Sequence, residues 1–403
     1  MLDHIRFTTA GESHGKGMLV ILEGIPAGLP VEPLDIARQL ARRQGGYGRG
    51  GRMAIEEDVG EILSGVRLGE TLGSPISFWI GNDDYPNWLP AMSAEPRPEA
   101  TDEELRRVRL PRPGHADLVG MLKYDRDDAR DVLERSSARE TSVRVAAGAV
   151  ARRLLGEFGI TLGSHVTVIG GVEAGRPDPL PDDVNAAAAD SPVRCLDPDA
   201  SRRMVEAIDA AGSRGDTVGG VFEVVARGVP VGLGSHVSWD RRLDGRLAGA
   251  LMSIQAQKGV EIGMGFGVAH HRGSEVHDEI DRDPDRRLTG GYRRRRNNAG
   301  GTEGGATTGE PVVCRVAMKP LSSLMRPLDS VDTGTGERAK AIRERSDICA
   351  VPAAGVVGEA MVALVLADAM REKFGGDSLA EMRDSYDAYL DRINARTFGD
   401  GGA

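Results

Sequence analysis

The chain has 403 residues, and its 51 Lys and Arg residues against 61 Asp and Glu residues give a net charge of −10. This charge argues against a nucleic-acid coat protein and against a binder of acidic membranes, because both classes need a positive field over much of their surface. An anionic ligand therefore needs a local basic pocket. Glycine contributes 54 residues, about twice its usual share, which predicts many tight turns.

In chain order, apolar runs and helical periodicity predict five strands and four helices. The strands are predicted at 18–22, 76–80, 165–169, 221–225 and 312–318. The helices are predicted at 33–43, at 137–154, from Leu243 to a stop at Gly259, and at 357–373. Because the helices and strands do not alternate with regular spacing, the pattern favours an α+β fold over a doubly wound sheet.

Two segments read as surface insertions, the acidic stretch 173–216 and the arginine-rich stretch 278–296. The tetrad Arg293 to Arg296 lies in the second, has one aromatic neighbour in Tyr292, and belongs to an acidic protein. We therefore expect a mobile, solvated loop there and no nucleic-acid site.

The cysteines and the apolar runs limit the cellular setting. Cys195, Cys314 and Cys349 are odd in number and widely spaced, which argues against a disulfide framework or a zinc site. Asp3 interrupts the N-terminus where a signal peptide needs apolar residues, and the apolar run 361–370 is too short to cross a bilayer. The sequence predicts a soluble cytoplasmic protein.

The segment 134–141, ERSSARET, is the most informative by physics alone. Ser137 and Glu140 have the spacing of a capping box, which predicts a helix start with exposed N–H groups. Arg135 and Arg139 flank that start, so it could bind a phosphate or carboxylate. A plain cap whose arginines are solvated or paired with nearby acids explains the spacing equally well. A capping role predicts that Glu140→Gln is mild, since glutamine can still close the box.

Two histidines lie in glycine-rich turns, His14 in GESHG and His115 in RPGHAD. A turn histidine can point into a cleft, where its near-neutral pKa suits proton transfer. Each alone is more often a plain surface residue, and Arg112 beside His115 favours the functional interpretation of the second.

Further ligand-binding candidates lie in three loops. The glycine loop 297–305 and the segment Lys319 to Ser323 offer amides and donors that fit a phosphate or a flavin edge, although a simple glycine hairpin is the commoner structure. Arg43 and Arg49 bracket a flexible basic loop, and the segment RSDICAVP begins at Arg345 and contains Asp347. No GxGxxG follows a strand, which argues against a Rossmann site.

Six of these segments, in this order, resemble the chorismate synthase family over essentially the whole length. They are GESHG, RPGHAD, RSSARETSVRVAAGA, the N-x-A-G-G loop, KPLSS and RSDICAVPAAGVV. The loop LARRQGGYGRG is most similar to the actinobacterial branch. The stretch 278–296 departs from the family by being longer and more basic.

The resemblance implies one domain over 1–403 with two insertions, folded as a β-α-β sandwich with helices between two antiparallel sheets, and assembled as a homotetramer. It implies a lyase that removes phosphate and a ring proton from 5-enolpyruvylshikimate 3-phosphate by anti-1,4-elimination to give chorismate. It also implies reduced FMN, which is used without net redox change. NADPH, or an external flavin reductase, could supply the electrons.

The resemblance assigns roles to residues of this sequence. His14 would protonate the reduced flavin, His115 would assist the departing phosphate, and Asp347 would tune the flavin N5 that receives the ring proton. Arg49, Arg112, Arg139 and Arg345 would bind substrate, while Arg43 and Arg49 match positions for NADP or for a phosphate. FMN would be held by Arg135, Ser136, Ser137, Gln255, Ala256, Gly304, Lys319, Pro320, Leu321, Ser322, Ser323 and Arg345.

Two alternatives come from other classes. A flavin-dependent NADPH oxidoreductase would share the flavin site but consume NADPH stoichiometrically. A non-enzymatic anion-binding module would keep the arginines and would not need the histidines.

Overall fold

A computed structural model describes residues 2–49, 58–344 and 346–396. Within these residues there are ten α-helices: α1 Pro33–Gln44, α2 Asp117–Tyr124, α3 Arg130–Ser136, α4 Thr141–Gly156, α5 Val184–Ala187, α6 Pro198–Ser213, α7 Leu243–Met252, α8 Gly273–Val276, α9 Val351–Phe374 and α10 Leu379–Asn394.

The same residues contain seventeen strands: β1 Arg6–Gly11, β2 Gly17–Glu23, β3 Gly60–Ser64, β4 Val66–Arg67, β5 Glu70–Thr71, β6 Ile76–Gly81, β7 Thr161–Ile169, β8 Val172–Glu173, β9 Gly220–Arg227, β10 Gln257–Ile262, β11 Ile280–Arg282, β12 Tyr292–Arg294, β13 Thr302–Glu303, β14 Ala306–Thr307, β15 Val312–Met318, β16 Asp329–Val331 and β17 Arg338–Lys340.

Two antiparallel sheets dominate the fold. One has the strand order β1-β2-β6-β3 and the other has the order β10-β15-β9-β7-β8. In β2, alternate residues Met18, Val20 and Leu22 are fully buried, as are Ile76 and Ile80 on the paired strand β6. This two-residue period, with one face buried, fixes the register of the first sheet. The mixed helix and strand content is α+β, as predicted.

Two helices, α4 and α9, form the centre of the molecule. α4 contacts β1, β2 and β6 of the first sheet and β7 of the second, while α9 packs on β7 and β9. α4 and α9 approach closely at Gly148, where an added Cβ would lie 2.4 Å from the Cβ of Ala360. One cluster of buried apolar residues extends from Ile5 to Leu390.

All five predicted strands lie within observed strands, and the helix predicted at 33–43 is α1. The last helix begins earlier than predicted, at Val351, with Pro352 in its first turn, where a proline needs no donor. By length and composition α9 could cross a membrane, but its apolar window is entirely buried inside the fold. It is therefore a core helix, and its 24 residues correct the expectation that the apolar segment is too short to span.

The predicted end of the helix after Leu243 is wrong. The helix predicted from Leu243 to Gly259 stops at Met252, and Gly259 lies in strand β10. The Ser253 hydroxyl turns back to donate to the Ala250 carbonyl. Ala256 has φ +68, a left-handed conformation that no helix continues.

The two predicted insertions are ordered parts of the fold. The first contains α5 and α6, and Met204 and Ile208 of α6 are fully buried in the main core.

The second predicted insertion contains the β11–β12 hairpin. The tetrad Arg293 to Arg296 begins within strand β12 and is paired with carboxylates, so the segment is not the loop that was expected, although most of these arginines remain exposed. Arg293 and Arg295 pair with Asp281, Arg294 with Glu303, and Arg296 with Glu279.

Candidate active site

His14 is held by a buried carboxylate on α3. Its Nδ1 lies 2.9 Å from Oε1 of Glu134, and its backbone N–H donates to Oε2 at 2.8 Å. An ionised carboxylate can only accept, so Nδ1 carries the proton and Nε2 is the nitrogen that can exchange a proton with a ligand. Burial acts to raise the pKa of Glu134, but hydrogen bonds from His14 and Arg130 keep that pKa below its ordinary value.

An aromatic ring fixes the plane of the same imidazole. Trp88 stacks on His14 with ring centroids 3.6 Å apart and an interplanar angle of 29°. The indole N–H donates to Asp84, and the Arg106 guanidinium lies 4.1 Å from the Trp88 ring centroid. The ring of His14 is thus restrained both at Nδ1 and across its face.

His115 is held in the same way, by the carboxylate of Asp117 at the start of α2. Its Nδ1 lies 2.6 Å from Oδ1 of Asp117, which is fully buried and also accepts from the backbone and guanidinium of Arg112. Burial acts to raise the pKa of Asp117, but hydrogen bonds from His115 and Arg112 hold that pKa well below its usual range. The carboxylate therefore stays ionised and keeps the proton of His115 on Nδ1.

The two arginine–carboxylate–histidine triads are linked through packed helices. Asp117 begins α2, and Glu134 lies near the end of α3. The helices meet at Gly120, where an added Cβ would lie 2.3 Å from Cγ1 of Val132. One helix pair therefore positions both histidines.

The predicted segment Lys319 to Ser323 lies beside His115. The Ser322 hydroxyl donates to the carbonyl of Gly114 at 2.9 Å, and the Arg112 guanidinium donates to the Ser323 hydroxyl at 2.9 Å. The Lys319 backbone N–H donates to the carbonyl of Ala256 at 3.0 Å. Burial, with the nearby charges of Lys258 and Arg112, lowers the pKa of Lys319.

A cavity of about 290 Å³ is lined by two of the predicted cofactor residues, Arg135 and Gln255. Arg135 is fixed by donation to the Thr9 carbonyl at 2.9 Å. Gln255 Oε1 is buried and has no hydrogen-bond partner among the described residues. The remaining lining residues are Phe7, Thr9, Glu140, Arg144 and Ser253.

Glu140 does not close the predicted capping box. Ser137 caps a 3-10 turn, Ala138–Glu140, by accepting from the backbone N–H of Arg139, and α4 begins only at Thr141. The Glu140 carboxylate instead accepts from Thr9 at 2.7 Å, Arg144 at 2.8 Å and Gln255 at 3.1 Å. Burial acts to raise the pKa of Glu140, and these donors, chiefly Arg144, keep it below its ordinary value.

Arginines gather around the start of α4. Arg49 pairs with Asp347 at 3.0 Å, and the nearly buried Arg43 pairs with Asp58 at 3.1 Å. Burial, opposed by Asp58 but aided by the charges of Arg49 and Arg139, lowers the pKa of Arg43 to about 10. These arginines therefore form one electrostatic cluster. Arg43 also donates to Thr141 and to the Ala138 carbonyl, so its guanidinium faces protein groups.

Some predicted FMN-binding residues are separated from one another in the structure. Gly304 lies in the turn between β13 and β14, where Gly305 accepts from the N-terminal residue Leu243 of α7. Gln255 and Ala256 follow the other end of that helix, which is about 15 Å long. Arg345 lies outside the described residues.

The remaining serines contact the protein locally. Ser136 donates to the Leu133 carbonyl, and Ser137 forms the cap described above. Among residues 2–49, 58–344 and 346–396, no group of three or more His, Cys, Asp or Glu side chains could hold a metal ion.

Sequence reasoning missed the groups that orient the histidines. Asp117 stands two residues after His115, a short spacing that could have signalled a partner. Glu134 is 120 residues from His14 and gives no local signal. Trp88 and the ligand-facing role of Glu140 likewise depend on tertiary packing.

Comparison with known proteins identifies close relatives. The family model described as chorismate synthase matches residues 5–371. A chorismate synthase of Desulforudis audaxviator is 57% identical over 395 residues, covering 98% of this chain and 100% of the relative. One of Thermobifida fusca is 54% identical, covering 97% and 100%. A crystal structure of chorismate synthase is 43% identical with a TM-score of 0.77, covering 98% of this chain and 100% of that chain.

Proposed function

This chain belongs to the chorismate synthase family, and from that membership we propose how its own residues carry out the reaction. Its activity is that of a chorismate synthase, a lyase of the shikimate pathway. We propose that the substrate is 5-enolpyruvylshikimate 3-phosphate and that it loses phosphate and a ring proton by anti-1,4-elimination. The observation that carries the proposal is the pair of arginine–carboxylate–histidine triads on α2 and α3, placed beside a cluster of arginines.

The substrate is bound by its anionic groups. It carries two carboxylates and a phosphate, and guanidinium groups bind both through paired hydrogen bonds. Arg49, Arg112 and Arg139 supply these groups, with Arg345 assigned by similarity. Because Arg43 donates to Thr141 and Ala138, it supports the turn that carries Arg139. Asp347 holds Arg49 in place through their ion pair.

Each histidine exchanges protons through its Nε2 nitrogen. His115 donates a proton to the departing phosphate, since Asp117 holds its Nδ1 proton and stabilises the positive imidazolium. His14 holds a proton beside α3, where Glu134 and Trp88 orient its ring. Neither carboxylate accepts the transferred proton, because each is buried, ionised and paired with an arginine.

The residues present fit FMN. Gln255 lines the same cavity as Arg135, and its Oε1 is a buried acceptor with no partner among the described residues, so it could accept from a donor such as a flavin ring N–H. Lys319 offers an ammonium donor close to Gly114, held in place by its hydrogen bond to the Ser322 hydroxyl, and the φ of +77 at Gly114 brings backbone toward the site. Bound reduced FMN would supply transient electron donation and would take up the ring proton, without net redox change. Arg135, Ser136, Ser137, Gln255, Ala256 and residues 319–323 would hold it.

The deciding experiment is an anaerobic assay with dithionite-reduced FMN, following chorismate absorbance and released phosphate together. We expect one phosphate per chorismate and no stoichiometric loss of NADPH. Stoichiometric NADPH oxidation without phosphate release would instead support the flavin-dependent oxidoreductase. Binding of phosphate esters without turnover would support the anion-binding module.

We also propose that the two sheets and their helices form a β-α-β sandwich in one domain, an arrangement supported by the contacts of α4 with strands of both sheets. A cytoplasmic homotetramer is proposed as well, and exposed Leu118, Val119 and Leu122 on α2 support association between copies. NADPH or an external flavin reductase supplies the electrons. Light scattering of the purified protein tests the tetramer directly.

A further inference from the structure

Residues 208–219, which we call the α6 platform, join the end of α6 to the start of β9. They contact three separate loops of the proposed site, although sequence reasoning assigned most of them to a surface insertion. The loops are, first, 46–49, which includes Arg49; second, 346–349, which includes Asp347; and third, 318–326, which includes Lys319 to Ser323.

The platform is anchored in the core. Met204 and Ile208 of α6 are fully buried, and the helix packs on β7 and β8. Asp197 caps the helix start by accepting from the backbone N–H groups of Asp199 and Ala200. A helix fixed at its start and along its apolar face is a firm support for loops that have little regular structure of their own.

The first loop rests on the platform through a tyrosine and a glycine. The Tyr47 hydroxyl donates to Oδ1 of Asp209 at 2.8 Å. Gly48 has φ +87, and a Cβ there would lie 2.9 Å from Cγ2 of Ile208. The backbone next to Arg49 therefore approaches the helix as closely as a side-chain-free residue allows.

The second loop is bound to both the platform and the first loop. The Val218 backbone N–H donates to the Ile348 carbonyl at 2.9 Å, and a Cβ on Gly212 would lie 2.6 Å from Cδ1 of Ile348. The Ile348 backbone N–H donates in turn to the Gly48 carbonyl at 2.8 Å. This junction lies beside the Arg49–Asp347 ion pair.

The third loop is attached by a buried threonine. The Thr217 hydroxyl donates to the Leu321 carbonyl at 2.7 Å, and the Arg326 backbone N–H donates to the Gly215 carbonyl at 3.0 Å. A Cβ on Gly219 would lie 2.2 Å from the Met318 carbonyl oxygen, so the two backbones touch immediately before Lys319.

We propose that the α6 platform is a positioning element that fixes the three loops relative to one another, and that Thr217 is its central positioning residue. Thr217 holds the flavin-facing loop, while the next residue, Val218, holds the loop of Asp347. This inference rests on the proposed function, because it assigns the three loops to one site. Geometry matters there because a misplacement of about 1 Å can cost roughly 100-fold in rate.

The test compares three variants by kcat, KM, FMN dissociation constant and melting temperature. Thr217→Val keeps the shape, removes the hydroxyl and leaves the Leu321 carbonyl without its donor. We expect it to lower kcat/KM about tenfold and to weaken FMN binding by a similar factor. Thr217→Ser keeps the donor and is expected to restore both. Ser213→Ala removes a hydroxyl that contacts only Ala210 on the same helix, and is expected to change neither.

A Thr217→Val enzyme with wild-type kcat/KM and FMN affinity would overturn the proposal, as would a loss that Thr217→Ser does not restore. If Thr217→Val does not fold, Tyr47→Phe tests the proposal in its place. The hydrogen bond of the Tyr47 hydroxyl is exposed, so losing it leaves the core intact. We expect that variant to raise KM for the substrate about threefold, and an unchanged KM would contradict the proposal. A wild-type enzyme that forms no chorismate would refute the proposed function, while FMN titration of the same variants would still test the platform.

Discussion

Asp117 governs His115 from a position with no access to solvent. Its carboxylate accepts from the imidazole and from Arg112 and is held ionised by them. In the proposed mechanism such a group acts through the histidine: it fixes which ring nitrogen carries the proton and would balance the charge that forms during proton transfer. The same reasoning applies to Glu134 and His14.

Asp117→Asn is expected to lower kcat by about 100-fold or more with a smaller change in KM, because an amide cannot balance the imidazolium. Steady-state assay at saturating substrate and reduced FMN measures the effect. Asp125→Asn is the control, because Asp125 follows the same helix with φ +52, a conformation that asparagine accepts. Full turnover by Asp117→Asn would mean that the charge of Asp117 does not support the chemistry at His115.

Glu140→Gln is now expected to be damaging, contrary to the capping-box interpretation. The amide would leave the charge of Arg144 unpaired and would turn an NH₂ group toward Thr9 or Gln255, both of which donate to Glu140. Breaking such a buried pair costs about 3 kcal/mol. We expect a lower melting temperature and roughly tenfold weaker FMN binding, measured by flavin fluorescence. Glu157→Gln, near the other end of α4, is the control. If the two variants had the same melting temperature and the same FMN affinity, Glu140 would have no special role beyond that of a surface carboxylate.

Among the elements, the crossing of α2 and α3 is the one that positions the partners of both histidines in the proposed mechanism. The two helices carry the carboxylates of both triads and meet where Gly120 leaves room for Val132. A shift of either helix therefore moves a histidine partner.

Gly120→Ala is expected to lower both melting temperature and turnover, since the new methyl group would lie 2.3 Å from Cγ1 of Val132. Helix propensity alone predicts the opposite, because alanine favours a helix over glycine by about 1 kcal/mol. Gly156→Ala in α4 meets no atom within 4 Å and is the matched control, which we expect to be neutral or stabilising. Adding Val132→Ala should recover activity, and failure of this rescue would exclude the packing explanation.

At the scale of the whole molecule, buried ion pairs connect elements that are distant in sequence. Glu359 of α9 accepts from Arg42 of α1 and from Arg152 of α4, and it also accepts from Ser164 on β7. Burial acts to raise the pKa of Glu359, but these arginines lower it to about 2. The central helices and the five-stranded sheet are therefore joined through one carboxylate.

The lowered pKa gives the fold a defined acid sensitivity. Folded Glu359 binds its proton less readily than the unfolded chain does, so its stabilisation is complete above about pH 4.5 and is lost as pH falls toward 2. We expect Glu359→Gln to melt well below the wild type at pH 7, with the difference narrowing as pH approaches 3. Melting curves between pH 7 and 3 measure this, with exposed Glu103→Gln as control. A difference that stays constant with pH would show that the charge of Glu359 is unimportant.

Local patterns in the sequence determined much of this molecule. The five strands and α1 follow from apolar alternation and helical period, which depend only on near neighbours along the chain. The turns that carry His14 and His115 and the arginines around Ser137 were also evident, because glycine spacing and residue chemistry are local properties.

Only the tertiary structure determined which side chains and segments contact one another across the chain. Glu134 meets His14 across 120 residues, Glu140 turns from its predicted cap toward Gln255, and α6 becomes a support for three loops instead of a surface insertion. The helix after Leu243 ends early because Ala256 adopts a left-handed conformation within the assembled fold. A buried charge or donor takes the partner that packing places beside it, and the distance in space between two side chains is not encoded by their separation in sequence.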